Sequence, residues 1–154
     1  MTINPGDRIP SWCLENQFGE LVDADDVKVG RSLLVFFPWA FSRVCGAELD
    51  ELQREHAFFT EAKVRVCGIS VDHKFALRSY AQDRGVEFEL LADFWPHGAV
   101  ARQFDAFDDE RGVATRHSYF VVDGIVREVI SSPLSTVRAF SDYRAAIETH
   151  VTAH

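Results

Sequence analysis

A cysteine placed just after a buried strand is the residue of this chain best suited to chemistry. The apolar run 33–37 ends at Pro38, Ser42 follows, and Cys45 comes three residues after that serine. A helical pattern then begins at Glu48, so the thiol lies in the first turn of a predicted helix. The N-terminus of a helix carries partial positive charge and free N–H groups, which favour the thiolate. Since the thiolate is the nucleophile, the pattern predicts cysteine chemistry at Cys45.

Residue types for other chemistries do not occur in the required spacing. The three cysteines, Cys13, Cys45 and Cys67, form no C-x-x-C pair, and none of the six histidines has metal-ligand spacing with them. We therefore expect neither a metal nor a cofactor. The N-terminus has no signal-peptide pattern, and the apolar stretches are too short to span a membrane. Few, unpaired cysteines in such a chain predict reduced thiols in the cytoplasm.

Composition limits the class of protein and its partners. The 154 residues are 47% hydrophobic and 26% charged, as in an ordinary soluble protein, and their number predicts a single domain spanning 1–154. The net charge of −8 argues against a nucleic-acid partner, which requires a basic face, and against binding to an anionic membrane surface.

Hydrophobic periodicity predicts the elements around this cysteine. Strands are expected in an N-terminal hairpin at 12–14 and 21–22 with Gly19 in its turn, and then at 32–37, 64–70, 88–91, 118–122 and 125–130. Helices are expected at 45–59, at 74–84 with Gly85 as the stop, at 98–104, and at the C-terminus, with Ser135 as cap and an apolar face from Val137 to Val151. This alternation predicts an α/β fold with a mixed sheet.

Two separated motifs resemble those of the peroxiredoxins. Pro38, Ser42 and Cys45 match the family pattern P-x-x-x-[S/T]-x-x-C. The segment 116–123 resembles the second family signature, in which an arginine opens a strand directed toward the active site.

The resemblance extends to a particular subgroup and to most of the chain. Segments 46–49 and 93–100 are similar to the alkyl hydroperoxide reductase E type, and the likeness runs from about residue 6 to about residue 150. It implies a thioredoxin-like fold with an N-terminal β-hairpin extension and a mixed central sheet flanked by helices. It also implies a thiol-dependent peroxidase that reduces hydrogen peroxide, organic hydroperoxides or peroxynitrite through a sulfenic acid on Cys45.

Family membership implies a role for each motif residue. Arg116 would place a guanidinium beside the Cys45 sulfur, where it favours the thiolate and donates to the negative charge that develops during reaction. The Ser42 hydroxyl would bond both the sulfur and the peroxide. Pro38, which lacks an N–H, would shield the sulfur from water.

Four further residues complete the expected site. Glu48, one helical turn after the cysteine, would hold Arg116 in place without acting as a base. The backbone N–H groups of Val44 and of the cysteine would bind the peroxide oxygens. Trp39 and Phe41 would form part of the substrate-binding wall.

The rest of the catalytic cycle depends on a reductant. Position 50, where one subgroup carries a resolving cysteine, is Asp50, and 68–154 contain no cysteine. The chain therefore resembles a one-cysteine enzyme that requires an external thiol, either a small thiol such as mycothiol or a glutaredoxin-like or thioredoxin-like protein. The loops expected around the site carry Phe41, Phe94 and Trp95, which are costly to leave in water, and members of this family are commonly dimers. Together these points predict a homodimer.

Two alternatives remain open on the same scaffold. Trp39 and Arg43 stand where related chains more often carry small or aliphatic residues, which leaves room for a changed function. One alternative is a redox-responsive sensor or binding protein that changes partners when Cys45 is oxidised. The other is a pathway enzyme that uses Cys45 on a different substrate. Stoichiometric peroxide loss without turnover on added thiol would favour the sensor.

Overall fold

The computed structural model describes residues 3–133 and 138–151, which form nine strands and five helices. The strands are β1 (Cys13–Asn16), β2 (Leu21–Asp23), β3 (Arg31–Phe36), β4 (Val64–Ser70), β5 (Glu89–Ala92), β6 (Phe107–Asp108), β7 (Val113–Ala114), β8 (Arg116–Val122) and β9 (Ile125–Ser132). The helices are α1 (Arg43–Arg54), α2 (His56–Glu61), α3 (Lys74–Arg84), α4 (Ala99–Gln103) and α5 (Phe140–Val151), and a 3₁₀ turn spans Ala24–Val27.

Seven of the strands make one mixed sheet in the order β2-β1-β5-β4-β3-β8-β9. The neighbours β3, β4 and β5 are parallel, while β8 and β9 run antiparallel to β3 and to each other. The carboxyl ends of β3, β4 and β5 therefore meet at one edge of the sheet, and the start of β8 lies at that same edge. This edge positions the residues discussed below.

Two hydrophobic cores cover the two faces of the sheet. Alternate residues of β3 divide between them, because successive side chains of a strand point to opposite faces. Leu33 and Val35 belong to the core that also contains Cys45, whereas Leu34 and Phe36 belong to the other. All four side chains are fully buried, as the uninterrupted apolar sequence predicts.

Several predicted elements are confirmed with their bounds. The hairpin forms with Gly19 in its turn at φ +77°, and the strand at 64–70 and the helix at 74–84 have the predicted limits. Gly85 ends that helix in the left-handed conformation, φ +68°, which favours glycine. Ser135 and Val137, predicted to begin the last helix, lie outside the described residues.

One predicted element was wrong, and one element was missed. The helix expected at 45–59 is two helices, because Glu55 leaves the helical conformation at φ −95°, ψ +18°. The break lets Phe58 and Phe59 pack edge-on against Phe140, with ring centroids 5.6 and 5.8 Å apart, a tertiary contact without a local signal. The β6–β7 hairpin was not predicted, since two-residue strands are too short for a periodic pattern.

Within the described ranges, none of the helices has both the length and the apolar character needed to cross a bilayer.

Candidate active site

Cys45 lies in the first turn of α1 and is fully buried. Ser42 is the N-cap of this helix, and its Oγ accepts the Cys45 backbone N–H at 3.2 Å. We expected this hydroxyl to bond the sulfur. In the structure it instead fixes the turn that carries the sulfur, because a free first-turn N–H needs an acceptor. The expected thiol position at the helix N-terminus is nevertheless present.

Arg116 reaches the sulfur from the neighbouring strand. It opens β8, its side chain is 1% exposed, and its Nη2 donates to the Cys45 Sγ at 3.1 Å. The antiparallel pairing of β8 with β3 brings the first residue of β8 to the end of β3, beside the start of α1. A buried guanidinium in contact with a sulfur stabilises the thiolate and can donate to charge that develops on it.

Glu48 contacts Arg116 more weakly than expected. Its Oε2 lies 3.6 Å from the Arg116 Nη1, and both groups are buried. Its main partner is Arg138, whose backbone N and Nε donate to the same Oε2 at 2.9 and 3.1 Å and whose Nη2 bonds Oε1. Glu48 therefore links two arginines.

Arg138 is the site residue that sequence reasoning missed. It is buried, and it also donates to the Ser118 Oγ at 2.6 Å and to the Phe36 carbonyl at 2.8 Å. No motif surrounds it, and Glu48 lies 90 positions earlier in the chain. Only its place as a lone arginine near the apolar start of the last helix could have suggested a buried partner.

The buried charges of Glu48, Arg116 and Arg138 do not cancel. Two guanidinium groups and one carboxylate lie in contact out of water, which leaves one positive charge in excess. The Arg116 side chain directs that excess toward the Cys45 sulfur. A buried charge needs a counter-charge. A thiolate on Cys45 would supply it and make the cluster neutral.

Two neighbours have pKa values shifted by this environment. Burial raises the pKa of Tyr143, whose hydroxyl lies 3.0 Å from the Ser118 Oγ beneath the cluster. Burial and the nearby charge of Arg138 lower the pKa of His117, whose Nδ1 lies 2.6 Å from the Thr115 hydroxyl. Both groups are therefore neutral at neutral pH and leave the charge balance of the cluster unchanged.

A cleft of about 570 Å³ leads to this cluster. Its walls contain expected and unexpected residues, namely Pro38, Trp39, Ser42, Arg43, Val44, Asp108, Glu110, Arg111 and Arg116. Trp39 is 44% exposed on one wall, and the turn of the β6–β7 hairpin forms another.

Phe41 is not part of the cleft lining that we expected. It adopts φ +68°, a left-handed conformation uncommon outside glycine, and its ring packs edge-on against Tyr80 at 5.1 Å. The loop before it is held by Asp72, whose Oδ2 accepts the Ala40 N–H at 2.8 Å and the Ser70 hydroxyl at 2.6 Å.

The other two cysteines lie apart from this site. Cys67 is fully buried in the core on the opposite face of the sheet, and burial raises the pKa of its thiol to about 12. Cys13 is exposed at the start of β1. In sheet order β1 is three strands from β3, or about 14 Å at the usual strand spacing.

Among the described residues, no group of three or more histidine, cysteine or acidic side chains is arranged to hold a metal.

Comparisons with known proteins agree with this geometry. The AhpC/TSA family model matches residues 5–129. The alkyl hydroperoxide reductase E of Mycobacterium tuberculosis (strain H37Rv) is 38% identical over 128 residues, covering 81% of this chain and 83% of that protein. The alkyl hydroperoxide reductase C of Amphibacillus xylanus is 31% identical over 117 residues, covering 73% of this chain and 61% of that protein.

Solved structures share the fold. Enterococcus faecalis AhpC superposes with a TM-score of 0.90 at 24% identity, covering 100% of this chain and 96% of that one. The peroxidoxin BcpB of Mycobacterium tuberculosis superposes with a TM-score of 0.83 at 24% identity, covering 98% and 97%. The predicted thioredoxin-like architecture, with its hairpin extension and mixed sheet, is confirmed.

Proposed function

This chain belongs to the AhpC/TSA family and is a peroxiredoxin, a thiol-dependent peroxidase, and we propose that Cys45 is its peroxidatic cysteine. The observation that carries the assignment is the 3.1 Å contact from the Arg116 Nη2 to the Cys45 Sγ, in a cluster that is charge-neutral with a thiolate. The proposed substrates are hydrogen peroxide, organic hydroperoxides and peroxynitrite.

The proposed reaction is a two-electron transfer at sulfur. The Cys45 thiolate attacks one peroxide oxygen, an S–O bond forms, and the O–O bond breaks. From hydrogen peroxide or an organic hydroperoxide, the other oxygen leaves as hydroxide or alkoxide and takes a proton from solvent; from peroxynitrite, it leaves as part of nitrite. In each case the sulfur is oxidised to sulfenic acid while the peroxide is reduced. Arg116 donates to the negative charge that spreads over the reacting atoms. The N–H of Val44, in the first turn of α1, offers a further donor without an intrahelical acceptor.

The surrounding residues have positioning roles in this proposal. Ser42 fixes the first turn of α1 through its bond to the Cys45 N–H. Pro38 and Trp39 line the approach to the sulfur. Glu48, held by Arg138, keeps Arg116 directed at the sulfur. Phe41 has no role in the cleft and instead supports the loop through Tyr80.

We propose a one-cysteine cycle with an external thiol. Asp50 occupies the position of a resolving cysteine and pairs with Arg84 at 3.1 Å. The sheet separates Cys67 from Cys45. The strand β1, which begins with Cys13, lies about 14 Å from β3, the strand that precedes Cys45, whereas disulfide-bonded Cα atoms lie within about 7 Å. The reductant is proposed to be a small thiol such as mycothiol, or a glutaredoxin-like or thioredoxin-like protein.

Mass spectrometry of the protein after one equivalent of hydrogen peroxide tests both proposals. We expect a single added oxygen on Cys45, trapped by dimedone, and a mixed disulfide at Cys45 when a small thiol is added. Cys13→Ser and Cys67→Ser should give the same result, whereas Cys45→Ser should show no oxidation. A disulfide from Cys45 to Cys13 or Cys67 in good yield would overturn the one-cysteine cycle. Unoxidised Cys45 would overturn the assignment of the nucleophile.

We also propose a single-domain protein of the cytoplasm that forms a homodimer. All three cysteines are free, which suits a reducing compartment that also supplies the thiol reductant. Five large apolar side chains are exposed on the segments that follow β3, β4 and β5, namely Trp39, Phe41, Phe75, Phe94 and Trp95. Since these strands end at one edge of the sheet, the exposed side chains share that edge. Such a surface favours burial against a second copy.

A further inference from the structure

The turn of the β6–β7 hairpin forms the outer wall of the cleft. Asp108, Glu110 and Arg111 line the cleft, while Val113 and Ala114 are buried beneath. The turn is closed by its own bonds, in which the Asp108 Oδ1 accepts the N–H groups of Glu110 and Arg111 at 3.0 and 3.2 Å. These bonds set the shape of the turn but do not set its position relative to the rest of the protein.

From outside the hairpin, His97 and Arg102 bond its turn. The His97 Nε2 lies 2.7 Å from the Gly112 carbonyl and donates to it, because a carbonyl only accepts. The Arg102 Nη1 donates to the Asp109 Oδ1 at 2.7 Å, and its guanidinium lies over the Phe107 ring at 4.1 Å. Both residues come from the segment between β5 and β6.

His97 bonds the backbone of the turn, whereas Arg102 bonds a side chain. The His97 ring also meets the Phe107 ring edge-on at 6.0 Å, so that His97 contacts both β6 and the turn that follows it. At Gly98 a Cβ would lie 2.2 Å from the Phe107 ring, which shows how closely this segment approaches the hairpin. His97 is itself exposed, but it bonds a backbone carbonyl. The Arg102–Asp109 pair joins two side chains that are 53% and 75% exposed, and such ion pairs contribute little.

The hairpin wall matters only to a substrate that extends beyond the peroxide group. Hydrogen peroxide consists of two oxygens and two hydrogens, whereas the cleft is about 570 Å³. A small peroxide at the sulfur contacts Arg116 and the first turn of α1, neither of which depends on His97. The organic part of a larger hydroperoxide lies between Trp39 and the hairpin turn.

We propose that His97 is a positioning residue that holds the hairpin turn against the outer cleft and thereby sets the reactivity of Cys45 toward hydroperoxides larger than hydrogen peroxide. Contacts to the non-reacting part of a substrate orient the O–O bond, and a loosened wall loses that orientation. This inference rests on the proposed peroxidase function.

The test compares second-order rate constants for Cys45 oxidation by hydrogen peroxide and by cumene hydroperoxide. His97→Ala should lower the rate constant for cumene hydroperoxide by a factor on the order of 10 and that for hydrogen peroxide by less than about 2-fold. His97→Gln, whose amide can still donate to the Gly112 carbonyl, should restore most of the lost rate. The matched control is His56→Ala, which removes the imidazole of a residue on α2 that lies near Glu87. It should leave the ratio of the two rate constants unchanged.

The outcomes separate the inference from the function on which it rests. Equal losses for both peroxides, an unchanged or increased rate with cumene hydroperoxide, or no rescue by His97→Gln would overturn the role of His97. A wild-type protein that reacts only with hydrogen peroxide would overturn it as well and leave the peroxidase function intact. Failure of the wild-type protein to react with either peroxide would overturn the proposed function itself.

Discussion

At the scale of single residues, Arg116 is the cation that contacts the Cys45 sulfur, the proposed nucleophile. Replacing it with alanine removes a buried donor to the developing charge and should slow oxidation of Cys45 by a factor on the order of 10². Stopped-flow measurement of the reaction with hydrogen peroxide tests this. Arg43→Ala is the matched control, because Arg43 lines the cleft but is exposed, and it should change the rate by less than about 3-fold. A larger loss in Arg43→Ala than in Arg116→Ala would show that the wrong arginine was chosen.

Arg138 belongs to the same cluster and should matter to stability as well as to rate. Arg138→Met leaves the Glu48 carboxylate buried without its main partner, and loss of one member of a buried pair costs about 3–5 kcal/mol in the free energy of unfolding. Urea unfolding measures this loss.

An arginine-to-methionine substitution in an exposed ion pair is the matched control for Arg138→Met. Arg144 pairs with Glu148 at 2.8 Å on the surface of α5, with both side chains more than half exposed. Arg144→Met should cost less than about 1 kcal/mol. If the two variants unfold at the same urea concentration, the Glu48–Arg138 pair does not stabilise the fold as described.

At the scale of elements, β8 carries both Arg116 and a histidine whose titration affects stability. Burial and the charge of Arg138 lower the pKa of His117, so the folded protein holds a neutral imidazole at pH values where the unfolded chain, with a pKa near 6.5, binds a proton. Unfolding then takes up a proton, and stability falls as the pH drops through the unfolded pKa toward the lower folded value.

His117→Asn should reduce this pH dependence while an amide still faces Thr115. Urea midpoints at about pH 7.5 and about pH 5 should move apart less in the variant than in the wild-type protein. The decrease in urea midpoint that the wild-type protein and the variant share comes from the other titrating groups. The extra decrease in the wild-type protein comes from His117. Parallel curves would show that His117 titrates alike in the folded and unfolded states.

At the scale of the whole molecule, the apolar edge of the sheet predicts the dimer. Trp95 is 81% exposed there, and Trp95→Glu should convert the proposed dimer to a monomer in sedimentation at micromolar concentration. Val29, 83% exposed just before the amino end of β3, is the matched control, and Val29→Glu should leave the dimer intact. A wild-type monomer in both redox states, or equal effects of the two substitutions, would reject this interface.

The sequence by itself determined the buried strands and the position of the proposed nucleophile, Cys45, in the first turn of a helix. The apolar run of β3, the hydroxyl before Cys45 and the arginine at the start of β8 are local patterns, and each is confirmed in its place. The tertiary structure alone decided which groups surround them. Arg138 meets Glu48 across 90 positions, and His97 contacts a hairpin of two-residue strands. Neither contact has a sequence period or motif, because each joins separate elements that meet at one edge of the sheet.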